Sequence, residues 1–321
     1  TSMRIMELFY TEGGFPKGVV NLVTCSRVEA DILLTDERVK AVTFVGTTGV
    51  GKQVYSKAAA HGKRVQAQCE AKNHALVLED CNLEATVNAI INSTYGCAGM
   101  RCMALPVVCV QESIADEFVS LLKKKAEAMK LGCAYDEETD LGPVVNAGHK
   151  EKICNWIQKG IDEGAELVLD GRNVAVPGYE NGFFVGPTIL DHVTPEMTVG
   201  NREIFGPVTC IKRVKDYEEG IKIMNANPFA NGSCIFTQSG YYSRKFAMET
   251  DGGMVGINVG IPVPTAYFPF SGNKDSFFGD LHVLGKDGYR FFTRAKTVTT
   301  HWFDEAAGKR KVGTWEGSTE A

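Results

Sequence analysis

The sequence predicts an α/β fold with parallel sheets. Short β-branched and apolar runs alternate with amphipathic segments along most of the chain, which is typical of strand–helix–strand units. The chain has 321 residues, 44% of them apolar and 23% charged, so it can bury a large core and is expected to form two domains. The helical spacing between the apolar runs argues against a β-sandwich.

The first predicted unit is part of a nucleotide-binding sheet. A helix-like segment at 3–10 opens the chain, and β-branched residues dominate the runs that follow. In order, we predict a strand at 19–23, a helix at 28–38, a strand at 41–45, a helix at 49–61 and a strand at 64–69. No earlier strands precede this unit, so we expect the chain to be N-terminally incomplete.

The second predicted unit begins with a strand at 75–78 and a helix over 83–95, with Asp80 or Asn82 as its cap. Glycines then predict a loop at 96–103, followed by a strand at 104–110. The remaining predicted elements are helices at 114–130, 146–163 and 216–225, and strands at 165–169, 208–213, 233–237 and 254–258. Prolines predict an irregular loop after 262, and the run KTVTTH at 296–301 predicts a late strand. The polar, Gly-containing residues 306–321 predict a frayed tail.

Charge and composition exclude several classes of function. Lys and Arg total 34 against 39 Asp and Glu, a net charge of -5, and no basic cluster predicts nucleic-acid binding. No apolar stretch reaches the ~20 residues of a membrane span, so we expect a cytoplasmic protein, or a mitochondrial-matrix one in a eukaryote. Most of the ten cysteines lie in apolar segments, which indicates a reducing compartment. The histidines show no ligand spacing, and we predict no metal.

The segment 46–52, GTTGVGK, follows a strand and opens a helix, where backbone N–H groups and the helix dipole hold phosphate. It resembles the phosphate loop of triphosphatases but has Gln53 where Ser or Thr should bind magnesium. A phosphate site and a plain strand-to-helix turn are both consistent with this segment.

Cys102 is a candidate nucleophile. It lies in a predicted irregular loop beside Arg101, whose guanidinium would favour the thiolate. Because the chain has ten cysteines, the alternative is one more buried thiol. We expect Cys102 to be the single fast-reacting thiol, with the other nine packed.

Five motifs together resemble the aldehyde dehydrogenase superfamily. In chain order they are FVGTTGVG at 44–51, QCEAKN at 68–73, GMRC at 99–102, EIFGP at 203–207 and PFSGNK at 269–274. KNH at 72–74, RCMA at 101–104 and FFGD at 277–280 are similar, more narrowly, to the CoA-acylating methylmalonate-semialdehyde (malonate-semialdehyde) dehydrogenases. The resemblance runs from residue 1 to about 303 and covers the later two-thirds of a family subunit.

The resemblance implies an aldehyde dehydrogenase fold divided at stated boundaries. Residues 1–69 would complete a partial Rossmann-like NAD-binding domain, and 70–262 would form the α/β catalytic domain. Residues 263–305 would form a loop and an arm with a C-terminal oligomerisation strand, and 306–321 a disordered tail. A homo-oligomer, dimer or tetramer, is expected. The family's first strands and oxyanion-hole Asn are absent from the chain, so we expect the 321 residues alone not to turn over.

The resemblance also implies residue roles. Cys102 would attack an aldehyde, with its own backbone N–H as half of the oxyanion hole, and Arg101 would bind a substrate carboxylate. NAD would be the cofactor. The implied NAD-binding residues are Gly46, Thr47 and Gly51 near the pyrophosphate, Gln68 and Cys69 beside the nicotinamide, Glu203 on the ribose and Phe205 as an apolar wall.

Gln68 stands where most family members place the Glu that activates water for hydrolysis. Gln cannot take up a proton near neutral pH, so CoA is the expected acyl acceptor. The implied reaction oxidises malonate or methylmalonate semialdehyde to acetyl-CoA or propionyl-CoA with loss of CO₂. Glu70 stands where the family usually has Gly; it would either serve as a displaced base or crowd the cofactor. The alternatives are a hydrolytic aldehyde dehydrogenase for another acid semialdehyde, a phosphate-loop triphosphatase and an inactive subunit.

Overall fold

The computed structural model describes residues 1–302, and it has the predicted α/β architecture. The helices are α1 (Ser2–Thr11), α2 (Arg27–Ala30), α3 (Ile32–Thr35), α4 (Thr48–Ala60), α5 (Leu83–Tyr95), α6 (Glu112–Glu127), α7 (Ala147–Asp162), α8 (Tyr217–Ala226), α9 (Gly240–Glu249) and α10 (Gly285–Phe292). The strands are β1 (Ala41–Val45), β2 (Arg64–Gln68), β3 (His74–Val77), β4 (Val107–Gln111), β5 (Glu166–Leu169), β6 (Thr188–Asp191), β7 (Val208–Val214), β8 (Phe229–Ala230), β9 (Gly232–Phe236), β10 (Met254–Ile257), β11 (Asn273–Lys274) and β12 (Phe277–Phe278). Two 3₁₀ turns occur at Gly96–Gly99 and Thr198–Gly200.

Two main sheets organise the described chain. A seven-stranded sheet in the order β10-β9-β3-β4-β7-β6-β5 is parallel except at β5, which pairs antiparallel with β6. A three-stranded sheet in the order β1-β2-β12 pairs β1 and β2 in parallel and adds β12 antiparallel. The central strands β3 and β4 are fully buried or nearly so, as expected for parallel strands with helices on both faces.

The larger core lies between the seven-stranded sheet and α5, α6 and α7. It is built from aliphatic residues and a few aromatic ones, including Phe118, Ile153 and Ile157, all fully buried. Three helices begin with an Asn or Asp side chain that accepts a backbone N–H, at Asn82, Asn146 and Asp216. The predicted cap at Asn82, rather than Asp80, is therefore the one observed.

Several predicted elements differ from the structure. The strand predicted at 19–23 is wrong: the segment lies in turns and irregular backbone, with Val19 63% and Val23 76% exposed, because no neighbouring strand pairs with it. The helix predicted at 28–38 is two short helices, α2 and α3, that meet at Asp31. The strand predicted at 296–301 is irregular backbone in this chain, since no described strand lies beside it. The predicted tail at 306–321 lies outside the described residues.

The domain prediction remains a prediction, although the two sheets divide the chain near its first boundary. β1 and β2 lie within 1–69, and the seven-stranded sheet lies within 70–262. The segment after 262 contains β11, β12 and α10 in addition to loop, and β12 completes the first sheet against β2. Within residues 1–302, no helix is both long and apolar enough to cross a bilayer.

Candidate active site

Three segments that are distant in sequence meet at one place in the fold. They are 68–73, which begins at the last residue of β2, 96–104 after α5, and 203–207 before β7. The Asn73 side-chain amide donates to the Cys102 carbonyl at 3.0 Å, and the Ala71 N–H donates to a Glu203 carboxylate oxygen at 3.0 Å. Three of the five motifs found in the sequence thus form one site.

The loop that carries Cys102 begins with an unusual left-handed turn. Cys97, Ala98 and Gly99 have φ values of 53°, 53° and 68°, which only glycine adopts without strain. A Cβ added at Gly99 would lie 2.2 Å from the Gly206 carbonyl oxygen. The turn therefore brings the backbone of this loop directly against the segment 203–207, and glycine is required at 99.

The peptide carbonyl of Cys102 is held by two buried amides. Asn73 donates to it and also to the Ala104 carbonyl at 2.7 Å, and Asn231 donates to it at 3.1 Å. The Asn73 side-chain oxygen in turn accepts the Gly232 N–H at 2.8 Å. These hydrogen bonds fix the orientation of the Cys102 backbone. The sequence alone did not predict them.

Cys102 is an exposed residue, so a small molecule can reach it. Partial burial of its sulfur and the nearby Glu203 carboxylate raise the pKa of this thiol, while the backbone N–H groups of Cys102 and Met103 lower it. The expectation that the other nine cysteines are packed is wrong, because Cys25 and Cys97 are also exposed. Cys25 precedes α2 in an exposed segment, and Cys97 lies in the left-handed turn.

Glu203 lies close enough to Cys102 for their charges to interact. Burial and the nearby Glu70 raise the pKa of Glu203 to about 7, against the lowering effects of the Ala71 N–H and of Lys72 and Lys152. Phe205 has a positive φ of 60° and is half exposed, and its carbonyl accepts the His149 Nε2–H at 2.7 Å. His149 in α7 therefore fixes a strained turn beside Glu203, a contact that no motif predicted.

Gln68 is buried, with 6% of its surface exposed, and neither atom of its side-chain amide has a hydrogen-bond partner among the described residues. A buried amide without a partner is uncommon and points to a polar group that is supplied from outside. The neighbouring Cys69 is also buried, which raises the pKa of its thiol to about 11. Its sulfur packs so closely over α4 that a Cβ at Gly51 would lie 2.3 Å from it.

The phosphate-type segment forms the turn from β1 into α4, as predicted. Gly46 and Thr47 are exposed, and Thr47 is the residue before α4. The Lys52 ammonium group pairs with Asp275 at 3.1 Å and lies over the Phe278 ring. With Lys52 engaged in this way and Gln53 in place of a hydroxyl residue, the segment does not favour a triphosphatase loop.

An apolar groove of about 940 Å³ lies beside the same helix. Leu33 and Leu34 of α3, Val42 and Phe44 of β1, and Val50 and Val54 of α4 form its apolar walls. Asp31 and Lys57, which form an ion pair, stand at its rim. The groove thus lies along the same helix whose N-terminus follows the exposed turn at Gly46 and Thr47.

The comparison with known proteins agrees with this site. The model of the aldehyde dehydrogenase family matches residues 1–298. The chain belongs to the aldehyde dehydrogenase family.

Relatives within the aldehyde dehydrogenase family narrow the similarity further. The malonate-semialdehyde dehydrogenase 1 of Oceanobacillus iheyensis is 47% identical over 300 residues, which are 94% of this chain and 61% of that protein. A crystal structure from Sinorhizobium meliloti, described as a methylmalonate-semialdehyde dehydrogenase complexed with NAD, superposes with a TM-score of 0.92 at 42% identity, covering 94% of this chain and 62% of that one. The crystal structure of the methylmalonate-semialdehyde dehydrogenase from Oceanimonas doudoroffii superposes with a TM-score of 0.92 at 43% identity, covering 95% of this chain and 63% of that one. The chain thus spans about three-fifths of the length of these relatives.

In this member of the aldehyde dehydrogenase family, the Arg101 side chain is turned toward the end of α5. Its guanidinium lies over Gly96, where a Cβ would meet it at 2.7 Å, and donates to the Asn92 carbonyl near the end of α5 at 3.4 Å. A cation at a helix C-terminus is favourable, so this position has its own stabilising role. Because its guanidinium is engaged there, the effect of Arg101 on the Cys102 thiolate stays a prediction.

Asn73, Asn231 and His149 are the site residues that sequence reasoning missed. Each acts through a backbone carbonyl of another segment, and such a contact leaves no spacing pattern in the sequence. Asn73 belongs to the KNH motif at 72–74, so that motif was the sequence signal for a role of Asn73 in the site. Asn231 precedes Gly232 between β8 and β9, and the Asn-Gly pair alone predicts only a turn.

Proposed function

We propose that the protein carrying this chain is an NAD-dependent, CoA-acylating malonate- or methylmalonate-semialdehyde dehydrogenase. The observation that carries the proposal is the site at Cys102, an exposed cysteine on a loop held by two amides, with Glu203 beside it. The uncharged Gln68 stands at the position where the resemblance places the family's base. The names of the relatives, at 47% and 43% identity, supply the substrate class.

The residues present fit a dinucleotide. The apolar groove beside α4 would take the adenine, and the exposed turn at Gly46 and Thr47 would take the pyrophosphate. Glu203 would accept hydrogen bonds from a ribose, beside Phe205, and the unpartnered Gln68 amide would gain a polar neighbour. When bound, NAD supplies the hydride acceptor that oxidises the Cys102 adduct to a thioester.

Cys102 would carry the acyl group. Its thiolate sulfur attacks the aldehyde carbon, a C–S bond forms, and the carbonyl oxygen becomes an oxyanion near the Cys102 backbone N–H. After the two-electron oxidation the same carbon is a thioester on Cys102. A CoA thiolate then attacks that carbonyl carbon, the C–S bond to Cys102 breaks, and the Cys102 thiolate is regenerated.

The residue at position 68 supports thiolysis over hydrolysis. The nearby Glu70 carboxylate accepts the Thr48 N–H at 2.9 Å and so lies at the start of α4. Gln68 has no basic form near neutral pH. A thiol acceptor with a pKa of ~8.5 already supplies some thiolate at pH 7 and has less need of a base.

The substrate's carboxylate would lie β to the thioester carbonyl. Electrons from the breaking C–C bond can flow into that carbonyl, releasing CO₂ and leaving an enolate that takes up a proton. The products are acetyl-CoA from malonate semialdehyde and propionyl-CoA from its methyl derivative. Arg101 is the candidate cation for the carboxylate, which requires its guanidinium to turn away from the end of α5.

The proposal is tested by following NADH formation from malonate semialdehyde with and without CoA. We expect a burst near one NADH per site, then slow turnover that CoA accelerates, because the thioester waits for a thiol. Rapid steady turnover without CoA would instead indicate a hydrolytic enzyme. A Cys102→Ser variant should give no burst.

A further inference from the structure

Glu70 occupies the position where a dinucleotide phosphate would be expected. Its carboxylate accepts the Thr48 N–H, the first N–H of the 13-residue helix α4, at 2.9 Å. This helix begins with the exposed turn at Gly46 and Thr47 and carries no acidic residue in its first turn. The negative charge at this helix end is therefore supplied by a side chain from another segment.

The backbone around Glu70 is fixed from both sides. The Glu70 N–H donates to the Thr48 hydroxyl at 3.3 Å, and the Ser276 hydroxyl donates to the Glu70 carbonyl at 2.7 Å. The Cys69 N–H donates to the Ser276 carbonyl at 2.8 Å. With its main chain held in this way, the Glu70 side chain is directed toward the N-terminus of α4 rather than free to sample the solvent.

A second observation points to a polar ligand beside this helix end. The side-chain amide of Gln68, two residues before Glu70, is buried with neither of its polar atoms partnered among the described residues. The apolar groove begins on the same helix, at Val50 and Gln53. A molecule with an apolar ring, phosphates and further polar groups would meet the groove, the helix end and this amide.

We propose that Glu70 is an internal competitor of the cofactor's phosphates and so sets the affinity for NAD. This inference rests on the proposed NAD-dependent function. A carboxylate and a phosphate are both anions that seek the N–H groups of a helix N-terminus, and they repel each other at close range. The Glu70 carboxylate must leave the Thr48 N–H before a pyrophosphate can bind there, and this displacement weakens binding.

The test measures ligand affinity by titration calorimetry in the wild type, Glu70→Gly and Glu70→Gln. We expect both variants to bind NAD about ten-fold more tightly, since an anion near a helix N-terminus changes binding by roughly this amount. Adenosine has no phosphate and fills only the groove, so its affinity should stay the same in all three proteins. Asp216→Asn, which removes another carboxylate that caps a helix, is the matched control and should leave both affinities unchanged.

Thermal stability separates this role from a structural one. Loss of the contact with Thr48 should lower the melting temperature of Glu70→Gly, so that stability falls while NAD affinity rises. Substitution of a residue that only supported the fold would lower both the melting temperature and the NAD affinity. Glu70→Gln keeps the side-chain length and an acceptor oxygen, and it reports on charge if the glycine variant is poorly folded.

Unchanged or weaker NAD binding in both variants would overturn the proposal, as would an equal gain for adenosine. If neither the wild type nor any variant binds NAD while all of them bind adenosine or melt cooperatively, the proposed function itself is wrong, and the inference falls with it. Tighter binding of NAD by the two variants, with unchanged binding of adenosine, supports both the inference about Glu70 and the proposed function.

Discussion

At the scale of single residues, Gly99 decides how the nucleophile loop meets the rest of the site. Gly99→Ala would place a Cβ 2.2 Å from the Gly206 carbonyl oxygen, in a backbone conformation with a φ of 68°. The left-handed conformation alone costs about 1–2 kcal/mol for an alanine, and the overlap adds to it. We expect a lower free energy of unfolding in urea and slower alkylation of Cys102.

Gly142→Ala is the matched control for this substitution, because a Cβ at Gly142 meets no atom within 4 Å. The alkylation rate is best measured in a background in which the exposed Cys25 and Cys97 are replaced by serine. Gly99→Ala with wild-type stability and an unchanged Cys102 alkylation rate would show that the loop has another way to approach Gly206.

Arg101 has two possible partners, the end of α5 and a substrate carboxylate. If it binds the carboxylate, Arg101→Leu should raise the KM for malonate semialdehyde about ten- to a hundred-fold and spare propanal, because a charge-assisted hydrogen bond is worth ~1.5–3 kcal/mol. Steady-state kinetics with both aldehydes decide this. Equal losses on both substrates, together with lower stability, would assign Arg101 to the Asn92 carbonyl alone.

At the scale of elements, Asn73 joins the segment after β2 to the Cys102 loop and to β9. Asn73→Ala would leave the Cys102 and Ala104 carbonyls and the Gly232 N–H without this partner. Buried polar groups left unpaired cost about 1–3 kcal/mol each, so we expect a loss of several kcal/mol in the free energy of unfolding. Asn231→Ala removes one bond to the Cys102 carbonyl and a weaker one to the Met103 sulfur, and it should cost about 1 kcal/mol.

Chemical denaturation of the two asparagine variants gives these energies, and the Cys102 alkylation rate shows whether the thiol is still oriented. Both variants should react more slowly, Asn73→Ala more so. An Asn231→Ala protein that loses more stability than Asn73→Ala would mean that the contact of Asn231 with the Met103 sulfur, at 3.1 Å, is the important one.

The regular elements were predictable from the sequence where their own periodicity is strong. Helices α5, α6 and α7 agree with the predicted ones to within three residues at either end, because each buries an apolar face under a sheet. β6 and α9 were not predicted. β6 has only four residues, and α9 buries only Phe246, so neither leaves a strong pattern.

Elements that depend on a partner strand were the least predictable. The apolar run at 19–23 has strand-like composition but no strand beside it, whereas β12, with only two residues, is a strand because β2 offers it an edge. The same reasoning applies to the site. Motif order brought Cys102, Glu203 and Gln68 together, but contacts through backbone carbonyls, such as that of His149 with Phe205, need the folded chain.

At the scale of the whole molecule, the protonation of Glu203 makes the free energy of unfolding depend on pH. Burial raises its pKa to about 7, from an ordinary value of 4.5. Between these two values the folded protein holds a proton that the unfolded chain has released, so the free energy of unfolding falls as the pH rises from about 4.5 to 7. Above pH 7 the carboxylate is ionised in both states, and the full penalty of its partial burial is present.

Glu203→Gln should therefore stabilise the protein at pH 8 by about 1–2 kcal/mol, less than the full pKa shift implies because the group is partly exposed. The amide oxygen of Gln can still accept the Ala71 N–H, so the local structure is kept. Urea denaturation at several pH values should show the advantage of the variant shrink toward zero near pH 4.5, while Glu117→Gln, at an exposed position, shows none. An advantage that is the same at every pH would come from packing, and Glu203 would then titrate normally in the folded protein.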